Sequence, residues 1–410
     1  MIHALKPLSL DDSPIDLSIG ADAKLLSGQL NSLRQRLFPP EAKKRLRLFS
    51  IGEVAKLLGV SVSHLRHLSL EGHGPVPETA SGGRRYYSLE QINELRRFLA
   101  DSNPGVKGQT YWPRRQRGEH LQVLAICNFK GGSAKTTTAA YLAQGLALRG
   151  YRVLAIDLDP QASLSSLFGI QPAFDVGENE SLFGALRYDG ARRPLEQIVK
   201  TTYFPGVDLI PANIELQEFE HDTARVLGAG AGKPEDLFFA RVALALSSVE
   251  QLYDVVVIDC PPQLGFLTLG ALCASTAVLV TVHPEMLDIG SMDQFLAMAA
   301  DLLRVVRESG GDLRYNWFRY LVTRFEPTDG AQAQVAAFLR ALFGQKVLTN
   351  PVLKSTAISD AGLTKQTLYE VGREKFNRET FERAMGSIDS VNLEVEALIK
   401  QAWGRRQQEP

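Results

Sequence analysis

The sequence predicts an α/β fold with a doubly wound, mostly parallel sheet, preceded by a winged helix-turn-helix unit and an N-terminal helix. Three observations predict it. Apolar runs at 123–126, 153–156 and 255–258 each lead into a glycine–lysine loop or an acid, the alternation of a parallel sheet with crossover helices. Residues 41–120 carry 14 basic and 8 acidic side chains and 121–410 carry 27 and 34, so the overall charge of −1 conceals a basic unit beside an acidic one. Leucines at 26, 30, 33 and 37 mark one apolar helical stripe near the start.

The expected helix runs from Ser18 to Phe38 and stops at Pro39-Pro40. A single amphipathic helix builds no core alone, so residues 1–40 either pack on their own chain or pair with a second subunit; pairing, hence a homodimer, is the favoured expectation. The next unit is placed at 41–106. Ser50 starts a helix with apolar positions 51, 54, 57 and 58, Gly59 ends it, and Ser61 caps a second helix through Leu68. Two short helices around a glycine turn form a helix-turn-helix, whose second helix suits a DNA major groove. Gly82 to Ser88 reads as a basic, aromatic wing, and a helix from Ser88 to about Ala100 closes the unit. A basic connector at 107–120, with Trp112-Pro113-Arg114-Arg115, leads to the α/β domain at 121–410.

In that domain the strand Val123–Ile126 enters Lys130-Gly131-Gly132-Ser133-Ala134-Lys135-Thr136-Thr137, and a helix follows. A glycine turn between strand and helix aims backbone N–H groups and the positive helix end at one point. Lys135 adds a charge there and Thr136 a hydroxyl suited to magnesium. The alternative is a turn that merely joins strand to helix. A second strand ends in Asp157-Leu158-Asp159, with Asp159 24 positions after Lys135, the length of a crossover helix and turn. A third ends in Asp259. Parallel strands bring these ends to one edge, where open sheets bind ligands. Further strands are expected at 277–282 and 320–324, an edge strand at 207–212, and a closing helix from Phe381 to Trp403.

The loop resembles the deviant Walker A box of the ParA/MinD family of nucleotide-switch ATPases, with Ala134 where the family usually has glycine. Tyr253–Asp259 resembles a Walker B strand, and 50–88 resembles a winged unit of the MerR type. Taken together, with Asn128–Gly132 and Phe219-Glu220-His221-Asp222-Thr223, the chain resembles ParA-family plasmid partition ATPases of repABC-type alphaproteobacterial replicons. The resemblance implies ATP/ADP and Mg2+ as cofactors and slow, partner-stimulated ATP hydrolysis. It implies Lys130 acting across a dimer interface, Lys135 on the phosphates, Thr136 on magnesium with Asp157 and Asp259 in its shell, and Asp159 orienting water. Residues 130–137 would line the nucleotide. Ser63, His64 and Arg66 would face bases, and Arg84, Arg85 and Tyr86 phosphate or minor groove. Lys354 and Lys365, with Arg373, Lys375 and Arg378, would form a second, sequence-independent DNA surface; a solvated helix face is the plainer reading. The implied partners are a second copy, DNA and a ParB-type centromere-binding protein, and the implied outcome is plasmid segregation with repression of the chain's own operon.

A nucleotide-regulated repressor without productive hydrolysis is the competing reading, and Asp159 argues against it. A metabolic relative such as a nitrogenase reductase needs cluster-ligating cysteines, whereas Cys127, Cys260 and Cys273 fall in or near expected core strands and read as reduced buried thiols. No leader is read at the acidic N-terminus and no run suits a membrane helix, so a cytoplasmic protein is expected, and the DNA binding that the resemblance implies would make it nucleoid-associated.

Overall fold

The computed structural model describes residues 14–37, 44–80, 82–230 and 237–405, with residues 30–37 described by backbone alone. The chain forms two compact units, Met1–Lys44 and Arg45–Pro410.

In the first unit α1 (Ile15–Leu37) starts with Asp16 in its first turn, the favourable sign for a helix N-terminus. Ile15, Leu17, Ile19, Leu25 and Leu26 are all exposed. Of the leucine stripe, Leu26 is thus open to solvent; the side chains of Leu30, Leu33 and Leu37 lie outside the description.

The second unit opens with β1 (Phe49–Ser50) and α2 (Ile51–Leu58). Ser50 and Glu53 form a capping box: the Glu53 N–H donates to Ser50 Oγ, and the Ser50 N–H donates to Glu53 Oε2 at 2.8 Å. Gly59 takes φ +65° after the last turn, a left-handed conformation that glycine adopts without penalty. The Ser61 hydroxyl then caps α3 (Val62–Leu70) through the His64 N–H. The wing pairs β2 (Glu78–Ala80) with β3 (Arg84–Tyr87), and β3 also pairs with β1, Phe49 opposite Tyr87. Ser88 and Gln91 cap α4 (Leu89–Ser102) in the same reciprocal way. Val54, Leu58, Leu65, Leu68, Tyr87, Ile92 and Leu95 fill the small core.

The basic connector is a docked segment, not a loose tether. It begins as α5 (Val106–Tyr111) and then runs extended along the α/β domain. Arg114 donates to the Gly150 carbonyl at 3.1 Å, the Arg115 amide to Asp254, and Arg405 clasps Glu119 at 2.7 Å with the Pro113 and Arg114 carbonyls. Arg114 and Arg115 therefore satisfy carbonyls and carboxylates of the same unit.

The main sheet follows with β4 (Gln122–Cys127), the loop and α6 (Lys135–Leu148), then β5 (Val153–Asp157). Short helices α7 (Ser163–Leu167), α8 (Pro172–Asp175) and α9 (Leu182–Leu186) precede β6 (Lys200–Thr201), β7 (Val207–Ile210) and α10 (Leu216–Gly228). Next come α11 (Phe238–Ser247), β8 (Val255–Asp259), α12 (Phe266–Ala274), β9 (Ala277–Val282) and α13 (Met286–Glu308). The chain closes with β10 (Trp317–Val322), α14 (Gly330–Phe343), α15 (Thr356–Leu363) and α16 (Arg378–Ala402).

The strand order is β10-β9-β4-β8-β5-β7-β6, parallel throughout except for β6 against β7. The expected edge strand at 207–212 is therefore internal, and the two-residue β6 lies outside it. Lys-Thr carries no apolar alternation, which is why the sequence does not reveal it. Alternate residues of each strand serve opposite faces: Leu124, Ile126, Val255 and Val257 pack on α6 and α16, while Val123, Ala125, Val256 and Ile258 pack on the other core. The winged unit continues the first of these cores. There Arg96 of α4, 3% exposed, donates to the Leu148 carbonyl at the end of α6 (2.6 Å) and the Leu57 carbonyl at the end of α2 (3.2 Å). Burial, the largest influence, pushes its pKa down to about 10, so it remains a cation at neutral pH.

Candidate nucleotide site and DNA-reading unit

The loop from β4 to α6 is braced by strand ends far away in sequence. Thr281, on β9, bonds its hydroxyl to that of Ser133 at 3.0 Å; Thr323, just past β10, donates to the Ser133 carbonyl at 3.0 Å. Arg324 donates to the Gly132 carbonyl at 3.2 Å. Gly132 takes φ +80° and Ala134 φ +65°. Ala134 thus holds a left-handed conformation at α6's N-cap, where the family's usual glycine is unstrained and a methyl costs about 1 kcal/mol.

Lys135, the first residue of α6, is 7% exposed, and its ammonium donates to the Lys130 carbonyl at 2.9 Å across the mouth of the loop. Burial lowers its pKa, with Asp259 and Asp159 pulling the other way. Lys130 ion-pairs with Asp288 near the start of α13, where Asp288 is 3% exposed and His283 lies 3.7 Å away.

The three acids of the sequence analysis meet at this edge. Asp157 and Asp259 sit directly opposite each other on β5 and β8. Asp157 is fully buried and accepts from the amide and hydroxyl of Ser165, each at 2.7 Å. Burial pushes it up to about 7. Both carboxylate oxygens of Asp259 are buried and neither makes a hydrogen bond of good geometry, although the Thr136 hydroxyl lies close enough to favour its charged form. Burial, then Asp157, holds its pKa well above the carboxylate range, with Thr136 and Lys135 pulling it down. Asp159 accepts from the Gln161 amide at 2.9 Å and remains partly accessible.

An orphaned buried carboxylate beside a second one is costly unless a cation completes it. The donor set fits Mg2+, which takes one or two protein carboxylates and fills its shell with water and phosphate oxygens. Among the described residues no cluster of three or more His, Cys, Asp or Glu could hold a metal by itself. The thiols offer nothing comparable: all three are free, with Cys127 and Cys273 pushed up to about 12 by burial.

A pH signature follows. A carboxyl with a raised folded pKa adds stability that is complete below its unfolded value near 4 and is lost as pH rises through the folded value. Without cation, Asp157 and Asp259 therefore weaken the fold from about pH 4 to about pH 7 and above. Asp259→Asn should raise stability at pH 8 by roughly 1–4 kcal/mol, change it little at pH 4, and remove Mg2+-dependent hydrolysis. Thermal unfolding across pH, beside a hydrolysis assay, checks this; equal stability of both proteins at pH 8 would contradict it.

In the winged unit Leu65 and Leu68 of α3 are buried, leaving Ser63, His64, Arg66 and His67 exposed on one surface. Along β3 the direction alternates. Tyr87 is buried, and Arg85 shares its face with one guanidinium nitrogen buried and unpaired, whereas Arg84 is exposed. Lys354 is exposed and Lys365 half-buried, and Arg373 and Arg378 share the Glu382 carboxylate at 3.4 and 3.0 Å, which reduces the charge of that cluster.

Asp288, Ser165, Thr281, Thr323 and Arg324 carry no sequence signal of these roles. Each lies on a different element from the residue it serves, and no local pattern marks it.

A strand–loop–helix phosphate cradle with paired acids at adjacent strand ends defines a P-loop nucleotide hydrolase. Residues 121–309 match the model of the AAA domain, and residues 50–87 that of the MerR family regulatory proteins. The chain is 55% identical to replication protein A of Sinorhizobium fredii over 93% of both chains. It is 30% identical to protein SopA of Escherichia coli, covering 89% of this chain and 92% of that one. A solved partition protein superposes with a TM-score of 0.65 over 94% of this chain and 99% of its own, at 18% identity, a likeness of fold. The chain belongs to the ParA family of partition ATPases.

Proposed function

We propose that this chain is a plasmid partition ATPase that binds ATP with Mg2+, dimerises, binds DNA, and hydrolyses ATP slowly under stimulation by a ParB-type centromere-binding partner. The observation that carries the proposal is the orphaned, buried Asp259 beside Asp157 at the mouth of the Lys130–Thr137 loop. Bound Mg2+ supplies charge for the β- and γ-phosphate oxygens. Thr136, Asp259 and Asp157 would hold it. The amides of 131–137 and Lys135 cradle the phosphates. Asp159 positions the attacking water and need not deprotonate it strongly, because a loose phosphoryl transition state asks little of a base. Lys130 leaves Asp288 and reaches the nucleotide of the other subunit.

The winged unit reads an operator in the chain's own upstream region through Ser63, His64 and Arg66, with Arg84 and Tyr86 as wing contacts and Arg85, on the Tyr87 face, supporting the wing from inside. A gel shift of that region with ATP, ADP or no nucleotide tests the proposal. Arg84→Ala should lower the salt slope by about one, and Arg85→Ala should act mainly through the wing's fold. An unaltered slope in Arg84→Ala would place operator contacts elsewhere.

Lys354 and Lys365 present the second DNA surface. The Lys354 backbone is anchored, its N–H donating to the Phe325 carbonyl at 2.9 Å and its carbonyl accepting from Arg383 at 3.1 Å, while its side chain is exposed. Lys354→Glu with Lys365→Glu should abolish ATP-dependent binding to random-sequence DNA and spare ATP-dependent dimerisation, since each reversed charge turns phosphate attraction into repulsion. Filter binding beside sedimentation reads both; normal binding to random DNA would leave the winged unit as the DNA surface.

A further inference from the structure

The segment Phe219–Thr223 stands out in the sequence, yet none of it reaches the nucleotide loop. In the structure it lies on α10, with Leu216, Phe219 and Thr223 buried along one stripe. Phe219 stacks on Tyr188 with ring centres 5.9 Å apart, and the Thr223 hydroxyl meets that of Tyr188 at 2.9 Å. Arg241 lies over the other partner of this stack, 3.7 Å from the Tyr188 ring centre, and donates to the Leu186 and Arg187 carbonyls. These contacts fix α10 and aim Glu220 at the start of α12.

There the Glu220 carboxylate accepts two backbone bonds, from the Phe266 N–H at 2.8 Å and the Leu267 N–H at 3.0 Å. These amides open α12, whose own N-cap, Gly265, has no side chain to serve them. Glu220 thus caps the helix from a different element, with its negative charge at the favourable end of the dipole. The fit is tight: a β-carbon at Gly265 would stand 2.5 Å from one Glu220 oxygen and 2.8 Å from its carboxyl carbon. Gly265 has φ −95°, which any residue adopts, so a side chain here would be accommodated only by moving the Glu220 carboxylate aside.

The clamped helix end terminates the loop Cys260–Gly265, which begins at Asp259. Thr268 holds the same loop from inside α12, donating to the Gln263 carbonyl at 2.6 Å. Cys260 and Pro261 are buried, whereas Pro262 and Gln263 are exposed on the site side of the clamp. The loop is therefore tethered to the sheet at one end and to α10 at the other.

We propose that Glu220 is a positioning residue for hydrolysis, its carboxylate holding the loop after Asp259 in the geometry that the reaction needs. This rests on the reading of the site as an ATP hydrolase. Glu220 touches no nucleotide, so its loss should slow turnover and leave affinity nearly intact. Gly265→Ala should do the same by another route, because its methyl displaces the flexible carboxylate end.

The experiment compares Glu220→Ala, Gly265→Ala and the double variant by single-turnover ATP hydrolysis, ATP-Mg2+ calorimetry and thermal unfolding. Each single variant should slow hydrolysis on the order of tenfold or more, as expected for misplaced reacting groups, with affinity within about threefold of wild type. The double variant should be no slower than Glu220→Ala, because the vacated carboxylate removes the clash. Wild-type turnover in Glu220→Ala, even with a lowered Tm, would overturn the proposal, as would a double variant whose loss is the product of the two singles. A wild-type chain that turns over no ATP would instead remove the hydrolase reading on which the clamp rests.

Discussion

Replacing Lys135 by alanine or glutamine is expected to weaken ATP-Mg2+ binding on the order of a hundredfold or more, the scale for a charged donor lost from a water-poor phosphate site. The ammonium is already desolvated, at 7% exposure, and already rests on the Lys130 carbonyl across the loop mouth. Little ordering therefore remains when phosphate arrives. Its loss does second damage, because Lys135 supplies positive charge beside Asp259 and Asp159. Without it the acidic edge repels phosphate more strongly. Glutamine keeps a donor, on a chain one bond shorter, but not the charge, so both variants should fall together. Calorimetry reads the effect, and unchanged affinity would remove the phosphate cradle from the account.

Lys130→Ala is expected to part binding from turnover: ATP affinity within several-fold of wild type, with hydrolysis and ATP-dependent dimerisation reduced to background. The side chain is 39% exposed and engaged by Asp288 rather than wrapped into its own loop, so its own subunit's nucleotide site survives without it. The variant also strands the buried Asp288 carboxylate, which should cost stability by itself. Lys130→Ala with Asp288→Asn separates the effects. The double variant should regain the lost Tm, whereas hydrolysis should stay at background. Recovery of hydrolysis in the double variant would show that the lysine serves only to neutralise Asp288.

Most of the fold and much of the candidate site are legible in the sequence because their signals are local. Apolar runs of four to six residues ending in Lys130–Thr137, Asp157 or Asp259 specify parallel strands and place their ends on one edge. Ser50, Gly59, Ser61 and Ser88 announce helix ends through caps that involve only neighbouring residues. What sequence pattern does not show is long-range convergence. Asp288 reaches Lys130 across 158 positions and Thr323 reaches Ser133 across 190, and nothing beside either residue encodes the meeting. The docked connector is illegible for the same reason: its arginines resemble a free basic tether until Asp254, Glu250 and the Gly150 carbonyl are brought beside them. The face of Arg85 becomes clear only once β3 is in register, since a one-residue slip would exchange it with Arg84.

The central claim is that Lys130 completes the site of another subunit, and mixing two inactive variants tests it most directly. Lys130→Ala keeps Asp159 but gives no lysine, whereas Asp159→Ala gives the lysine but cannot orient water. In a mixed dimer one of the two sites regains both groups. Equal amounts of the two proteins, titrated with ATP and Mg2+, should therefore recover hydrolysis to roughly a quarter of wild type if subunits exchange freely, although each alone stays at background. Background hydrolysis in the mixture, with exchange verified by sedimentation, would contradict a trans role for Lys130 and with it the nucleotide-bridged dimer.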